Sequence, residues 1–164
     1  MRRRLLLLLL ACLAALAADW QGRVVGIHDG DTLTVLRGRQ QVKVRLYGID
    51  CPELGQPFGR RARQRAAELA FGRTVTVRPE SQDRYGRTVA WVVLPDGGTL
   101  NEILVAEGLA WHYRRYAPRA GRLAELEQQA RAARRGLWQD ANPVPPWDWR
   151  RSARPSGRAT ISRE

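Results

Sequence analysis

The chain predicts an α+β fold built on a small five-stranded Greek-key barrel of the OB type, with about three helices. Two observations predict it. Five short segments carry strand signals and are separated by glycine- or aspartate-containing turns. The spacing of apolar residues then changes to a helical period directly after the third strand and twice more toward the C-terminus.

The elements follow in order. Arg2, Arg3 and Arg4 precede an apolar run from Leu5 to Leu16, and Ala15-Leu16-Ala17 reads as a small-residue cleavage site. That run is shorter than the ~20 apolar residues a bilayer span needs. Residues 1–17 are therefore expected to be a cleaved export signal, giving a secreted or periplasmic protein that meets a membrane only if the segment is uncleaved. The folded domain is expected over 22–140. Arg23–Ile27 is strand-like and leads into Asp29-Gly30, Thr32–Leu36 follows, and Arg37-Gly38-Arg39 marks the next turn. In Gln41–Leu46, Val42, Val44 and Leu46 alternate onto one face, which sets Arg45 on the other. After Pro57 the residues Ala62, Ala66, Leu69 and Ala70 recur at helical spacing, with Gly72 as the stop. Strand signals return at Arg73–Val77 and Thr88–Leu94, joined by the polar turn Asp83-Arg84-Tyr85-Gly86-Arg87. Thr99 with Glu102 forms a capping box for a short helix closed by Gly108. A longer helix is expected over about Gly121 to Arg135, with Leu123, Leu126, Ala130, Ala133 and Leu137 on one stripe and Gly136 as its cap. Residues 141–164 are Pro- and Arg-rich and lack a period, so they read as an extended tail, within which Trp147 and Trp149 are able to dock their indoles.

Composition narrows the function. A hydrophobic content of 44% supports a core and excludes wholesale disorder. The formal charge is +12, and loss of the three arginines in residues 1–17 still leaves +9. Such a balance attracts polyanions, most simply nucleic acid. Only Cys51 remains after cleavage, so no internal disulfide is available. His28 and His112 are too isolated in sequence to suggest a metal cluster.

Three short motifs carry chemistry. Asp29-Gly30-Asp31-Thr32 starts like a calcium loop but fails the EF-hand pattern at Leu33. Asp50-Cys51-Pro52-Glu53 holds two carboxylates a short distance apart, because proline biases Cys51 toward extended backbone. Arg45 and Arg87 add guanidinium groups that are permanently charged and shaped for phosphate. Two carboxylates to hold a hard cation, a third to act as base, and two arginines to grip a phosphate make a set suited to cutting a phosphodiester. Cys51 itself is a poor nucleophile, since neighbouring acids disfavour its thiolate and no histidine is placed to activate it.

The order DGDT, R-x4-DxPE and DxYGR resembles the thermonuclease family, of which staphylococcal nuclease is a member. Asn101-Glu102, Gly108-Leu109-Ala110 and Gly136-Leu137-Trp138 extend the resemblance from about Val24 to Trp138. It implies an exported, calcium-dependent nuclease acting on DNA and RNA and leaving 3′-phosphate ends. By position, Asp31 and Asp50 would be calcium ligands with the backbone carbonyl of Cys51. Arg45 and Arg87 would stabilise the transition state, and Glu53 would be the general base. Arg84 and Tyr85 resemble residues that contact a neighbouring phosphate, and Tyr116 is the counterpart of a tyrosine at the end of the groove. Cys51 stands where the staphylococcal pattern has threonine, and the Leu54–Gly59 segment is shorter. No obligate protein partner is expected, and the chain is expected to be a monomer. Two other classes compete: a non-catalytic nucleic-acid-binding barrel, which would not need the acids, and a cell-envelope protein acting through its basic tail.

Overall fold

The structure, a computed structural model, describes residues 18–152. The export signal expected over 1–17 and the end of the tail lie outside them.

Five strands close into a barrel in the order β1 (Trp20–Ile27), β2 (Thr32–Arg37), β3 (Gln40–Leu46), β6 (Thr88–Val93) and β5 (Thr74–Gln82). β1 pairs antiparallel with both β2 and β5, which closes the ring and leaves the barrel sheet without a free edge. Alternation does the rest. Val24, Val35, Val44, Val77 and Val92 are each fully buried and fill the barrel. All pairings are antiparallel except β3 with β6, which are parallel, with Val44 opposite Thr88 and Arg45 opposite Val89. A parallel pair needs a long crossover. Here it runs through β4 (Ile49–Asp50), α1 (Gly59–Ala70) and β5.

Every barrel strand except β6 begins or ends farther out than the sequence expects. β1 starts three residues earlier, and β5 continues past Val77 through a bulge between Pro79 and Ser81. Proline cannot donate to the ladder, and the bulge accommodates it. The helix after the third strand is present as α1. Ala62, Ala66 and Ala70 recur every four residues and are buried. Their small side chains bring the helix close to the barrel.

α2 (Leu100–Ala106) starts at Thr99, whose Oγ1 accepts from the Glu102 N–H at 3.3 Å and donates to Glu102 Oε2 at 2.7 Å. The buried Asn101 locks it to the barrel. Its Oδ1 accepts from the Val92 N–H at 3.1 Å, and its Nδ2 donates to the Tyr47 carbonyl at 2.9 Å. Arg65 of α1 adds a two-nitrogen grip on Glu107 at the end of α2.

α3 (Gly121–Ala132) is shorter than the periodic pattern suggests. Leu123, Leu126 and Ala130 are buried, whereas Ala133 is exposed and Arg134 takes a positive φ of 49°. The helix stops there because the chain must turn to bring Gly136 against Gly108. A Cβ on Gly136 would lie 2.1 Å from the Gly108 carbonyl oxygen, and one on Gly108 would lie 2.1 Å from that of Arg135. Both glycines have positive φ, and the Leu137 N–H donates to the Gly108 carbonyl at 2.8 Å. A 3-10 turn, Gly136–Gln139, then buries Leu137 and Trp138.

Two elements are absent from the sequence reading. A two-residue sheet pairs β4 with β7 (Trp111–His112), setting Asp50 opposite Trp111. A fourth helix, α4 (Pro146–Ser152), replaces the extended conformation expected of the tail. The indole docking expected within that tail is present: Trp147 stacks on Tyr113 with ring centroids 4.9 Å apart and an 8° interplanar angle.

Candidate active site

The site forms where two turns meet beyond one end of β3. Asp31 sits in the β1–β2 turn, its N–H donating to Asp29 Oδ1 at 3.0 Å and its carbonyl accepting from the Leu46 N–H at 2.8 Å. The β2–β3 register sets the adjacent Thr32 opposite Arg45. β3 then ends, and Asp50 follows five residues after Arg45 in β4. Asp31 is 3% exposed and Asp50 only 1%. Buried charges demand partners. The Arg45 guanidinium supplies them by bridging both carboxylates: Nη1 pairs with Asp31 Oδ1, and Nη2 donates to Asp50 Oδ1 at 2.8 Å. Asp31 Oδ2 accepts from the Cys51 N–H at 2.6 Å, which ties the two turns together. Arg45 does lie on the face opposite the buried valines, and its guanidinium is already engaged with acids.

Glu53 is held by its backbone. Its N–H donates to Gln56 Oε1 at 3.1 Å, and its carbonyl accepts from the Gln56 N–H at 2.8 Å. α1 begins against it: a Cβ on Gly59 would lie 1.8 Å from the Glu53 carbonyl oxygen. The Glu53 side chain is 41% exposed. It meets Arg150 of α4, whose Nη1 donates to Glu53 Oε1 at 2.7 Å and whose Nη2 donates to Asp50 Oδ2 at 2.7 Å. One guanidinium thus touches both acids of the Asp50–Glu53 turn. Burial opposes the charge of Arg150, but the hydrogen bonds to Asp50 and Glu53 outweigh it and hold the group firmly protonated.

Arg87 immediately precedes β6. Extending the parallel β3–β6 register by one residue sets it on the outward face that carries Arg45, with about 8 Å between their Cα atoms at ordinary strand spacing. Asp83 holds it there. Asp83 Oδ2 accepts from Arg87 Nε at 2.7 Å, while Oδ1 accepts from the N–H groups of Tyr85 and Arg87. Partial burial raises the Asp83 pKa, but the Arg87 side-chain bond and these backbone donors prevail and hold it below the ordinary value. Arg84 and Tyr85 stand at the tip of the same turn. Tyr85 is 68% exposed, and the Arg84 and Arg87 guanidiniums lie 4.8 and 5.5 Å from its ring centroid. Tyr116 is on a different loop, exposed and edge-on to Tyr113 at 4.8 Å. It belongs to an aromatic run that continues through Tyr113 to Trp147.

The Cys51 thiol is buried, and that burial pushes its pKa well up, with Arg45 opposing only in part. A protonated buried thiol is neither a nucleophile nor a soft-metal ligand. His28 pairs with Thr34 Oγ1 at 2.8 Å. The buried His112 directs Nε2 at the Ala117 carbonyl, while its Nδ1 has no partner. Among the described residues, no group of three or more His, Cys, Asp or Glu side chains clusters to hold a metal. The donor set is instead two buried carboxylates whose charge is met by guanidinium cations. Paired hard oxygens of this kind fit calcium or another hard divalent ion as an alternative counter-charge to the guanidiniums.

Sequence reasoning missed Arg150, Gln56, Gly59 and Asp83. Asp83 and Gly86 carry the first- and fourth-position signature of a type I turn. Pro146 at a first helical position, Asp148 in the first turn and Arg150 with Arg151 in the last are ordinary helix-end signals. Gly59 offered none, because its constraint is a contact with a distant backbone.

Fold and side-chain set together define a small-barrel nuclease. Residues 43–140 match the family described as Staphylococcal nuclease homologue, and the chain belongs to that family. It is 49% identical over 146 residues to "Micrococcal nuclease" of Shigella flexneri, covering 84% of each chain. An "Uncharacterized endonuclease" of Escherichia coli is 46% identical over 135 residues, covering 82% of this chain and 88% of the relative. Another of that description, from Haemophilus influenzae, is 41% identical over 130 residues, covering 79% and 72%. Among the described residues no helix is long and apolar enough to cross a membrane.

Proposed function

We propose that this nuclease is an exported, calcium-dependent enzyme that hydrolyses phosphodiester bonds of DNA and RNA and leaves 3′-phosphate ends. The observation that carries the reading is the convergence of Asp31 from the β1–β2 turn, Arg45 from β3, and Asp50 and Glu53 from β4 and the segment after it, on one end of the barrel. Asp31 and Asp50, with the Cys51 carbonyl, would hold calcium, which when bound supplies positive charge against a phosphate oxygen. Two carboxylates alone give weak metal affinity, so a substrate phosphate should strengthen it.

Glu53 is the exposed acid of the set and takes a proton from the attacking water. Charge building on the equatorial phosphate oxygens meets Arg45 and Arg87, which share one face and are held by Asp50 and Asp83. Arg84 and Tyr85 receive an adjacent phosphate, and Tyr116 offers a ring for a base. No 2′-hydroxyl reader is evident in this set, in keeping with action on both sugars. Residues 1–17 are the export signal, so the secreted product should begin near residue 18 on N-terminal sequencing.

Hydrolysis of denatured DNA with calcium, with EGTA and by the Glu53→Gln variant tests the assignment. Chelation should abolish cleavage, and the variant should lose about 10²–10⁴ in kcat. Undiminished turnover by Glu53→Gln would remove Glu53 as the base.

A further inference from the structure

We propose that Arg150 is a tethered counter-cation that occupies Asp50 and Glu53 in the resting protein, so that α4 plugs the site until a divalent cation and a phosphate displace it. The inference rests on the reading of Asp50 as a cation ligand and Glu53 as the base.

The argument begins with the helix. Pro146 is buried, and Trp147 stacks on Tyr113 while meeting the edge of Trp111 with ring centroids 5.7 Å apart. Just before the helix, the Val144 carbonyl accepts from Gln56 Nε2 at 2.5 Å, on the loop that carries Glu53. The segment is thereby seated on both walls of the site. Trp147 and Arg150 are three residues apart and so share one face of α4. Docking of the indole delivers the guanidinium.

The next step concerns what Arg150 occupies. Asp50 Oδ1 accepts from Arg45 at 2.8 Å and Oδ2 accepts from Arg150 at 2.7 Å. Both oxygens already meet a guanidinium proton, so a divalent ion that takes Asp50 competes with the two arginines for the charge of that carboxylate. Arg45 is 16% exposed and also tied to Asp31 and to the Ile49 carbonyl. Arg150 is 43% exposed and hangs from a seven-residue helix. An exposed ion pair is the weaker of the two, so Arg150 is the one that yields. Its tether keeps its effective concentration at the site high, which raises the calcium concentration needed for occupancy. A bound phosphate then offers the released guanidinium another anion.

Calorimetric titration of calcium into the full-length protein and its Arg150→Gln, Trp147→Ala and Asp50→Asn variants tests this, with circular dichroism to check folding. Arg150→Gln should bind calcium about tenfold more tightly, and Trp147→Ala should move in the same direction. At limiting calcium both should cleave denatured DNA faster than the parent. Unchanged or weaker calcium binding by Arg150→Gln would overturn the proposal. Tighter binding by Arg150→Gln without any change in Trp147→Ala would overturn the role of the docked helix. Asp50→Asn keeps the two readings apart. If it binds calcium like the parent, the ligand assignment has failed; if it loses binding while Arg150→Gln is unchanged, only the plug has.

Discussion

Gly59→Ala is the substitution that best tests how the base is positioned. The new Cβ would fall 1.8 Å from the Glu53 carbonyl oxygen, 2.6 Å from its carbonyl carbon and 3.0 Å from the Pro52 oxygen. All three are backbone atoms, so no side-chain rotation relieves the clash. The chain must move by more than 1 Å, on the order of the difference from an ordinary van der Waals contact. Two effects oppose each other. Alanine is favoured over glycine in a helix by about 1 kcal/mol at most, and less at a first helical position. Forced repacking costs about 1–3 kcal/mol, and the turn bonds Gln56 N–H to Glu53 and Gly59 N–H to Gln56, 2.8 and 3.0 Å, are strained with it. The steric term wins. A net loss of about 2 kcal/mol would lower Tm by roughly 6–10 °C. The larger effect should be catalytic, because displacing a reacting group by ~1 Å costs on the order of 10²-fold. Asp31, Arg45 and Asp50 lie outside the clash, so calcium should still bind, which separates displacement of the base from loss of the metal site. The assay is steady-state cleavage of denatured DNA alongside calcium titration and thermal melting. A Gly59→Ala enzyme whose kcat lies within threefold of the parent would refute the claim that this contact sets Glu53.

Arg45→Lys keeps the charge but loses the planar fork that spans Asp31 and Asp50, so kcat should fall by about 10²–10³ in a protein that still folds; circular dichroism and cleavage rates measure both. Asp83→Asn should release Arg87 and alter acid stability. The folded Asp83 pKa lies below 3.8, so its stabilising contribution is complete above that value and is lost as pH falls through the folded pKa. Urea midpoints between about pH 2 and 5 should therefore change less steeply in Asp83→Asn than in the parent.

Much of the fold was legible because it obeys simple periods. Val42, Val44 and Leu46 alternate, the α1 alanines repeat every four residues, and Thr99 with Glu102 marks a helix start in both sequence and structure. What stayed hidden depends on contacts between distant backbones. The β4–β7 pair is two residues long on each side, too short to leave a pattern. The end of α3 is fixed by the meeting of Gly108 and Gly136 rather than by any residue inside the helix. α4 carried end signals, but its seven residues are too few to show an amphipathic period amid arginines. Of the candidate residues, those in the three motifs lie together around one end of the barrel or on its adjoining turn. Tyr116 was harder to fix by sequence, since Trp111, His112 and Tyr113 stand close before it and blur the match.

The position of the acids separates cutting from mere binding on physical grounds. A barrel selected only to hold a polyanion gains nothing from nearly buried carboxylates, which repel phosphate and carry a desolvation cost. Asp31 and Asp50 are among the least exposed charged groups of the described chain, and guanidiniums from two different elements are drawn in to balance them. The parallel β3–β6 pairing makes this arrangement possible. It forces a crossover to leave the end of β3, so Asp50 and Glu53 emerge beside Arg45, and it returns with Val89 opposite Arg45, two residues after Arg87. The valines of the barrel interior are buried on the other side of β3. Neutralising the acids should therefore remove the site for a cation, but it also leaves the largely buried Arg45 guanidinium without its anions, so the barrel should fold with reduced stability and the chemistry is coupled to the scaffold that bears it.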